Sequence, residues 1–258
     1  MIQLNQKHII NTVEMDSNWK TICRIGGVAA IMATVGTLLD IAITFLPGWG
    51  TSTAPETAIG WFTLFHDNWL LGLRNLDLLN VMISIFLIPT FCALYAIHHG
   101  INKQYTTLAI TLFIVATTIF IGNNTALPML ELSSKYTAAT TDTQRSIIAA
   151  AGEAMLARGK HGSPGAFMGF ALSTLASISF AFIMLKGKIF SKATAYIGII
   201  GFSLLLVYMV LVTFVSSSDN LIMMLAMPGG LLALGWNIGV AKKLLQLSKK
   251  EFDVKGRG

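Results

Sequence analysis

Charge is what this sequence has least of. Asp, Glu, Lys and Arg make up 12% of its 258 residues, about half the ~25% of a soluble domain. With 54% hydrophobic residues, that excludes an ordinary water-soluble fold and points to lipid as the main solvent. Cysteine is nearly absent. Cys23 and Cys92 form no CxxC pair, and both fall near the cytoplasmic end of a span in the topology below, so packing is expected of them and not a disulfide. HExxH, GxSxG and GxxxxGKS/T are missing, which removes the common zinc-protease, serine-hydrolase and nucleotide-binding signatures. The net charge of +6 resides in short loops and near the C-terminus, not on one face, so no nucleic-acid partner is expected. Residues 1–20 are polar and lack the pattern of a signal peptide, and the apolar run after them, which contains Asp40, is read as a retained span.

What the chain has is long apolar runs. A membrane helix needs about 20 mostly apolar residues, and six runs qualify: about 22–46, 70–97, 105–127, 165–185, 193–215 and 220–241. Lys7, Lys20, Arg24, Lys103, Lys186, Lys188, Lys192, Lys242, Lys243, Lys249, Lys250, Lys255 and Arg257 all fall on one side of six crossings. Lys135, Arg145, Arg158 and Lys160 fall on the other. By the positive-inside rule both termini are then cytoplasmic. The expected fold is all-α: one polytopic membrane domain over 1–258, a bundle of six transmembrane helices with both ends inside.

Local signals refine the picture. Gly165, Gly169, Ser173 and Ser177, and likewise Gly26, Ala30, Ala33 and Thr37, form small-residue ridges for close helix contact. Pro89 lies inside span two and Pro47-Gly48 ends span one. Pro128 ends span three and is read as starting a short helix through Leu132. In the long outer segment between spans three and four, Thr141 and Gln144 read as a capping box and Gly159 as a stop, giving an amphipathic helix over about 141–158. The stretch 159–165, GKHGSPG, reads as a flexible return. Trp49, Trp61, Phe62, Phe65 and Trp69 in the first outer loop suit the membrane interface, as does a Trp236-Asn237 pair at the cytoplasmic end of span six.

The stretch 70–84, LLGLRNLDLLNVMIS, stands out because it carries charge in an apolar run. On one helix, Arg74, Asp77, Asn80 and Ser84 form a single polar stripe. At 1.5 Å per residue, Arg74 and Asp77 lie roughly 6 and 10 Å deep and Asp40 of span one roughly 9 Å deep. Asn123 and Asn124 end span three at the same level. Two readings stand. In one, Arg74 and a carboxylate pair and the cluster only fixes helix register. In the other, Asp40, Arg74, Asp77, Asn80, Asn123 and Asn124 line a ligand site open to the outer face, with Glu153 turning down to meet Arg74 and close its mouth. Two aspartates against one arginine leave a surplus negative charge that needs a proton, a cationic ligand or Lys160.

Chemistry is less well supported. His66 and His161 lie outside and His98 and His99 inside, so no three meet at one zinc. Ser133, Ser134, Glu131, Glu153 and His161 share the outer side without a demanding spacing. No inverted repeat is evident, which counts against an ordinary secondary transporter. Three functions remain open: binding or transport of a small polar or cationic molecule, a membrane enzyme acting at the outer leaflet, or an accessory subunit of a membrane complex or homo-oligomer. Beyond the bilayer and a small-molecule ligand no partner is specified, and no cofactor or metal is expected.

The runs GNNTALPMLELSSKY and TTDTQRSIIAAAGEAMLARGKHGSPGAFMGF, within 122–170, resemble a group of uncharacterised bacterial six-span membrane proteins, the domain of unknown function 4386 type. The resemblance implies a multi-pass location in the inner (plasma) membrane of a prokaryote, no large soluble domain, and an outer helix that belongs to the fold. It brings no activity and no cofactor.

Overall fold

A backbone in lipid has no water to bond to, so each crossing segment must satisfy its own N–H and C=O groups, as a helix does. The computed structural model describes residues 2–46, 49, 54–215 and 219–249. Among these it is helical without strands: α1 (Ile2–Thr44), α2 (Ala58–Asp67), α3 (Trp69–Asn75), α4 (Leu78–His98), α5 (Lys103–Asn123), α6 (Ala126–Ala138), α7 (Asp142–Gly159), α8 (Pro164–Gly187), α9 (Lys192–Phe214) and α10 (Asp219–Lys249). Six stretches are long and apolar enough to cross a membrane, carried by α1, α4, α5, α8, α9 and α10, and the chain is a multi-pass membrane protein. Helices α4 and α5 have 21 residues each, enough at 1.5 Å per residue for a ~30 Å hydrocarbon core. Leu108 of α5, Phe182 of α8, Ile200 of α9 and Leu231 of α10 stand exposed, as a lipid-facing surface requires.

The six spans pack in chain order, each on the next, and α10 returns to α1. They form a ring, and α4 also touches α8 across it. Small residues bring the helices close. Ala30 and Ala33 of α1 are fully buried, and Thr90 Oγ1 of α4 donates to the Gly26 carbonyl of α1 at 3.0 Å. A Cβ at Gly26 would stand 2.9 Å from the Pro89 carbonyl oxygen, so this crossing requires glycine.

From mid-level towards the end that carries Lys103, Lys188 and Lys192, the ring is plugged by aromatics. Phe91 stacks on Phe113 with centroids 3.7 Å apart. Phe180 meets Phe91 edge-on at 5.3 Å, and Phe202 does the same to Trp236 at 5.1 Å. Trp236 is therefore a core residue and not half of an interfacial Trp-Asn pair. Cys23 packs in the same core, and both cysteines are free.

The other end is covered by a cap of α2, α3, α6 and α7, which pack on one another around Trp61, Phe62, Phe65, Leu76, Met129 and Leu156. This corrects the reading of the first outer loop as an aromatic belt: Trp61, Phe62 and Phe65 face each other and the cap helices, and Trp69 remains half exposed. The Thr141 cap forms, with its Oγ1 accepting from Gln144 N at 3.2 Å. Gln144 Oε1 reaches back to Thr140 N, one residue earlier than a capping box places it. Gly159 closes α7 from within, and Lys160 is the C-cap.

Several boundaries shift. Span two begins at Leu78, because α3 ends at Asn75 and the chain breaks at Leu76 and Asp77. Asp77 has φ 61°, a left-handed conformation that halts a helix and that Asp tolerates better than most residues. Span three stops at Asn123 and α6 opens at Ala126, with Pro128 inside its first turn, where a missing N–H does no harm. Lys250, Lys255, Arg257 and the Pro47-Gly48 stop lie outside the described residues.

Candidate functional site

The break at Leu76 and Asp77 undoes the single polar stripe. Arg74 sits in the last turn of α3, Asp77 in the break and Asn80 in the first turn of α4, so the three point along different directions. Arg74 turns to α1, and its side chain is only 7% exposed. Its Nε donates to Asp40 Oδ1 at 2.9 Å. Nη1 donates to the Trp49 carbonyl at 2.9 Å and to Asn75 Oδ1 at 3.1 Å. Nη2 donates to the Asp40 carbonyl at 3.1 Å and to Thr44 Oγ1. All the guanidinium N–H donors thus find acceptors, and α3 is clamped to the end of α1.

Asp77 has a different partner. Its Oδ2 lies 3.0 Å from His161 Nδ1, and its Oδ1 accepts from Asn80 Nδ2 at 2.8 Å. The far nitrogen of the same imidazole, Nε2, lies 2.8 Å from the Tyr208 hydroxyl of α9. Carboxylate, imidazole and phenol form one chain across the ring. Burial by itself raises the Asp77 carboxyl. The charge of His161, its hydrogen bond, the Asn80 amide and the charge of Arg74 outweigh that and hold the carboxyl below its ordinary value. The surplus negative charge expected from the sequence is therefore met from within the protein, by His161.

These groups surround a cavity of about 360 Å³ under the cap, lined by Asp40 and Thr44 of α1, Arg74 and Asn75 of α3, Asp77 and Asn80, Lys160 and His161, Tyr208, and Ala54 and Trp61. That volume falls within the range of small-molecule sites. Of the residues the sequence marked, Asp40, Arg74, Asp77 and Asn80 meet here. Asn123 and Asn124 do not line the cavity. Asn123 bonds the Gly165 carbonyl and accepts from Arg158, while Asn124 ties the Leu76 carbonyl to the start of α6. Both are joints between helices. Glu153 does not reach Arg74 either, since its Oε1 accepts from Ala58 N at 2.7 Å and caps α2.

Sequence reading placed His161 outside but gave it no partner, took Trp61 for an interface aromatic, and passed over Tyr208 and Asn75. The glycines around His161 looked like a flexible return. They instead allow tight approach: a Cβ at Gly159 would stand 2.6 Å from Thr125 Oγ1, and Gly162 has φ +79°. Tyr208 left one signal, a phenol far from the other tyrosine of its span, Tyr196, which lies near the start of α9. Among the described residues no three His, Cys, Asp or Glu side chains converge on a metal-sized site.

A family model described as Domain of unknown function (DUF4386) matches residues 68–238. That range contains Arg74, Asp77, His161 and Tyr208, and leaves out Asp40. No curated protein and no solved structure matches the chain.

Proposed function

The chain belongs to the DUF4386 family, whose description names no activity, and from its cavity we propose that it binds a small polar molecule, as a receptor or a carrier. The observation that carries this reading is a cavity of about 360 Å³, walled by ionisable and hydrogen-bonding side chains, inside a ring otherwise filled by aromatics. Polar side chains at membrane depth are costly, and those that persist commonly face a bundle interior or a water-filled cavity. The cap end bears Lys135, Arg145, Arg158 and Lys160, and the far end Lys103, Lys186, Lys188, Lys192, Lys242 and Lys243. This asymmetry supports a cavity open to the outer face of a plasma membrane. For a carrier, the aromatic plug is what has to move.

The test is thermal unfolding of the purified protein in detergent with a panel of small organic acids, amines and polyols, against an Ala54→Trp variant that fills the cavity. At least one class is expected to raise the melting temperature of the wild type and not of the variant. No shift, or equal shifts in both, contradicts the reading.

A second reading, acid–base catalysis on the bound molecule, rests on the Asp77–His161–Tyr208 chain. Asp77 holds the Nδ1–H, leaving Nε2 to exchange a proton with Tyr208 or with a ligand beside it. Turnover that Tyr208→Phe abolishes while binding persists supports this reading. Binding without turnover leaves the first.

A further inference from the structure

Resting on the cavity's role as a binding site, we propose that its ligand is an anion, a small molecule bearing a carboxylate or a phosphate. The wall carries three cationic side chains, Arg74, Lys160 and His161, against two carboxylates, Asp40 and Asp77, and two N–H donors in it have no partner. Trp61 is fully buried, lines the cavity, and its Nε1 has no hydrogen-bond partner. Asn75 lines it too. Its Oδ1 is fixed towards Arg74, which can only donate, so the unpartnered buried atom is the Nδ2 donor. Lys160 adds an ammonium to the wall that makes no ion pair among the described residues.

Of the four carboxylate oxygens in the wall, three are taken. Asp77 has both oxygens engaged, by Asn80 and His161, and Asp40 Oδ1 is held by Arg74. A cation entering here competes with Arg74 and His161 for these oxygens. An oxyanion meets a free ammonium, with two idle N–H donors buried beside the cavity, and charge-assisted bonds to an ammonium are the strong ones. Buried donors left without partners are rare in proteins, and a bound acceptor supplies a partner to Trp61 or to Asn75.

The experiment titrates the purified full chain in detergent, at constant ionic strength, with succinate, inorganic phosphate, tetramethylammonium or glycerol, and reads thermal stabilisation. Succinate or phosphate is expected to stabilise saturably, and which of the two acts separates a carboxylate ligand from a phosphate one. Trp61→Phe keeps the ring and removes the donor, and Lys160→Gln removes the charge. Each is expected to weaken the apparent affinity roughly three- to tenfold. Lys160 lies outside the helices, at the C-cap of α7, so its variant stands as the test should Trp61→Phe fail to fold. Stabilisation by tetramethylammonium or glycerol and not by the anions overturns the anion assignment and leaves the binding site. Anion affinity unchanged in the variants also overturns it. No stabilisation by any of the probes overturns the assignment and the binding reading together.

Discussion

His161 Nδ1 lies 3.0 Å from Asp77 Oδ2, so one imidazole ties the connection between α7 and α8 to the break ahead of α4. The pair is partly buried and closes the cap end of the ring. Removing one partner leaves the other without its counter-charge at the cavity wall. His161→Leu is expected to destabilise the protein by about 2 kcal/mol, measured as unfolding in detergent. A loss under about 0.5 kcal/mol would mean that the pair is no more than a surface contact.

The same pair has a pH signature. Asp77 titrates below its ordinary value in the folded protein, so its stabilising effect is complete above the unfolded value of 3.8 and is lost as pH falls through the lower, folded value. The stability of the wild type relative to Asp77→Asn therefore shrinks as pH falls below about 4. Asp77 also raises His161 through its charge and hydrogen bond, so above that range the difference grows as pH falls and His161 takes up its proton. A difference that is flat through neutral pH and does not shrink below about pH 4 would contradict the assignment.

The backbone at Asp77 adds a separate effect. At φ 61° glycine is unstrained and alanine is not. Asp77→Gly is expected to be about 1 kcal/mol more stable than Asp77→Ala, although both lose the His161 bond. Equal stability would mean that the left-handed turn is not retained.

Arg74 is held by geometry as much as by charge. Lysine keeps the charge and loses the fork that reaches Asp40, Thr44, Trp49 and Asn75. Arg74→Lys is expected to lower stability by about 2 kcal/mol. Unfolding at the wild-type temperature would show that charge alone suffices.

Glu153 acts at a distance from the cavity. As the acceptor for Ala58 N it caps α2, and Glu153→Ala is expected to lower stability by about 1 kcal/mol without changing ligand affinity. A loss of binding at unchanged stability would return Glu153 to the site.

The spans were legible because a run of about 20 apolar residues has few other uses, and Asp40 and Arg74 because charge in such a run needs a partner. The rest was hidden for physical reasons. Neither Gly nor Pro stands at the turn in LLGLRNLDLLN, and Asp77, which tolerates the left-handed conformation, is only a weak mark of a break inside an apolar run. Trp61, Phe62 and Phe65 have a composition equally suited to lipid headgroups or to a core, and only the packing of α6 and α7 over them decides. His161 was obscured because glycine signals both freedom and close approach, and here close approach prevails. Asn123 and Asn124 bond the Gly165 and Leu76 carbonyls and not the cavity, because depth along a helix does not reveal which way a side chain faces.

The central claim is a water-filled cavity, open at the cap end, that receives a small polar ligand. Tyr208 lies within the apolar helix α9 and lines that cavity. A Tyr208→Cys variant, with Cys23 and Cys92 replaced by alanine, is treated on intact cells with a membrane-impermeant methanethiosulfonate. The account predicts labelling from outside, slowed by whichever probe stabilises the protein. Labelling only after permeabilisation, or none at all, would contradict it.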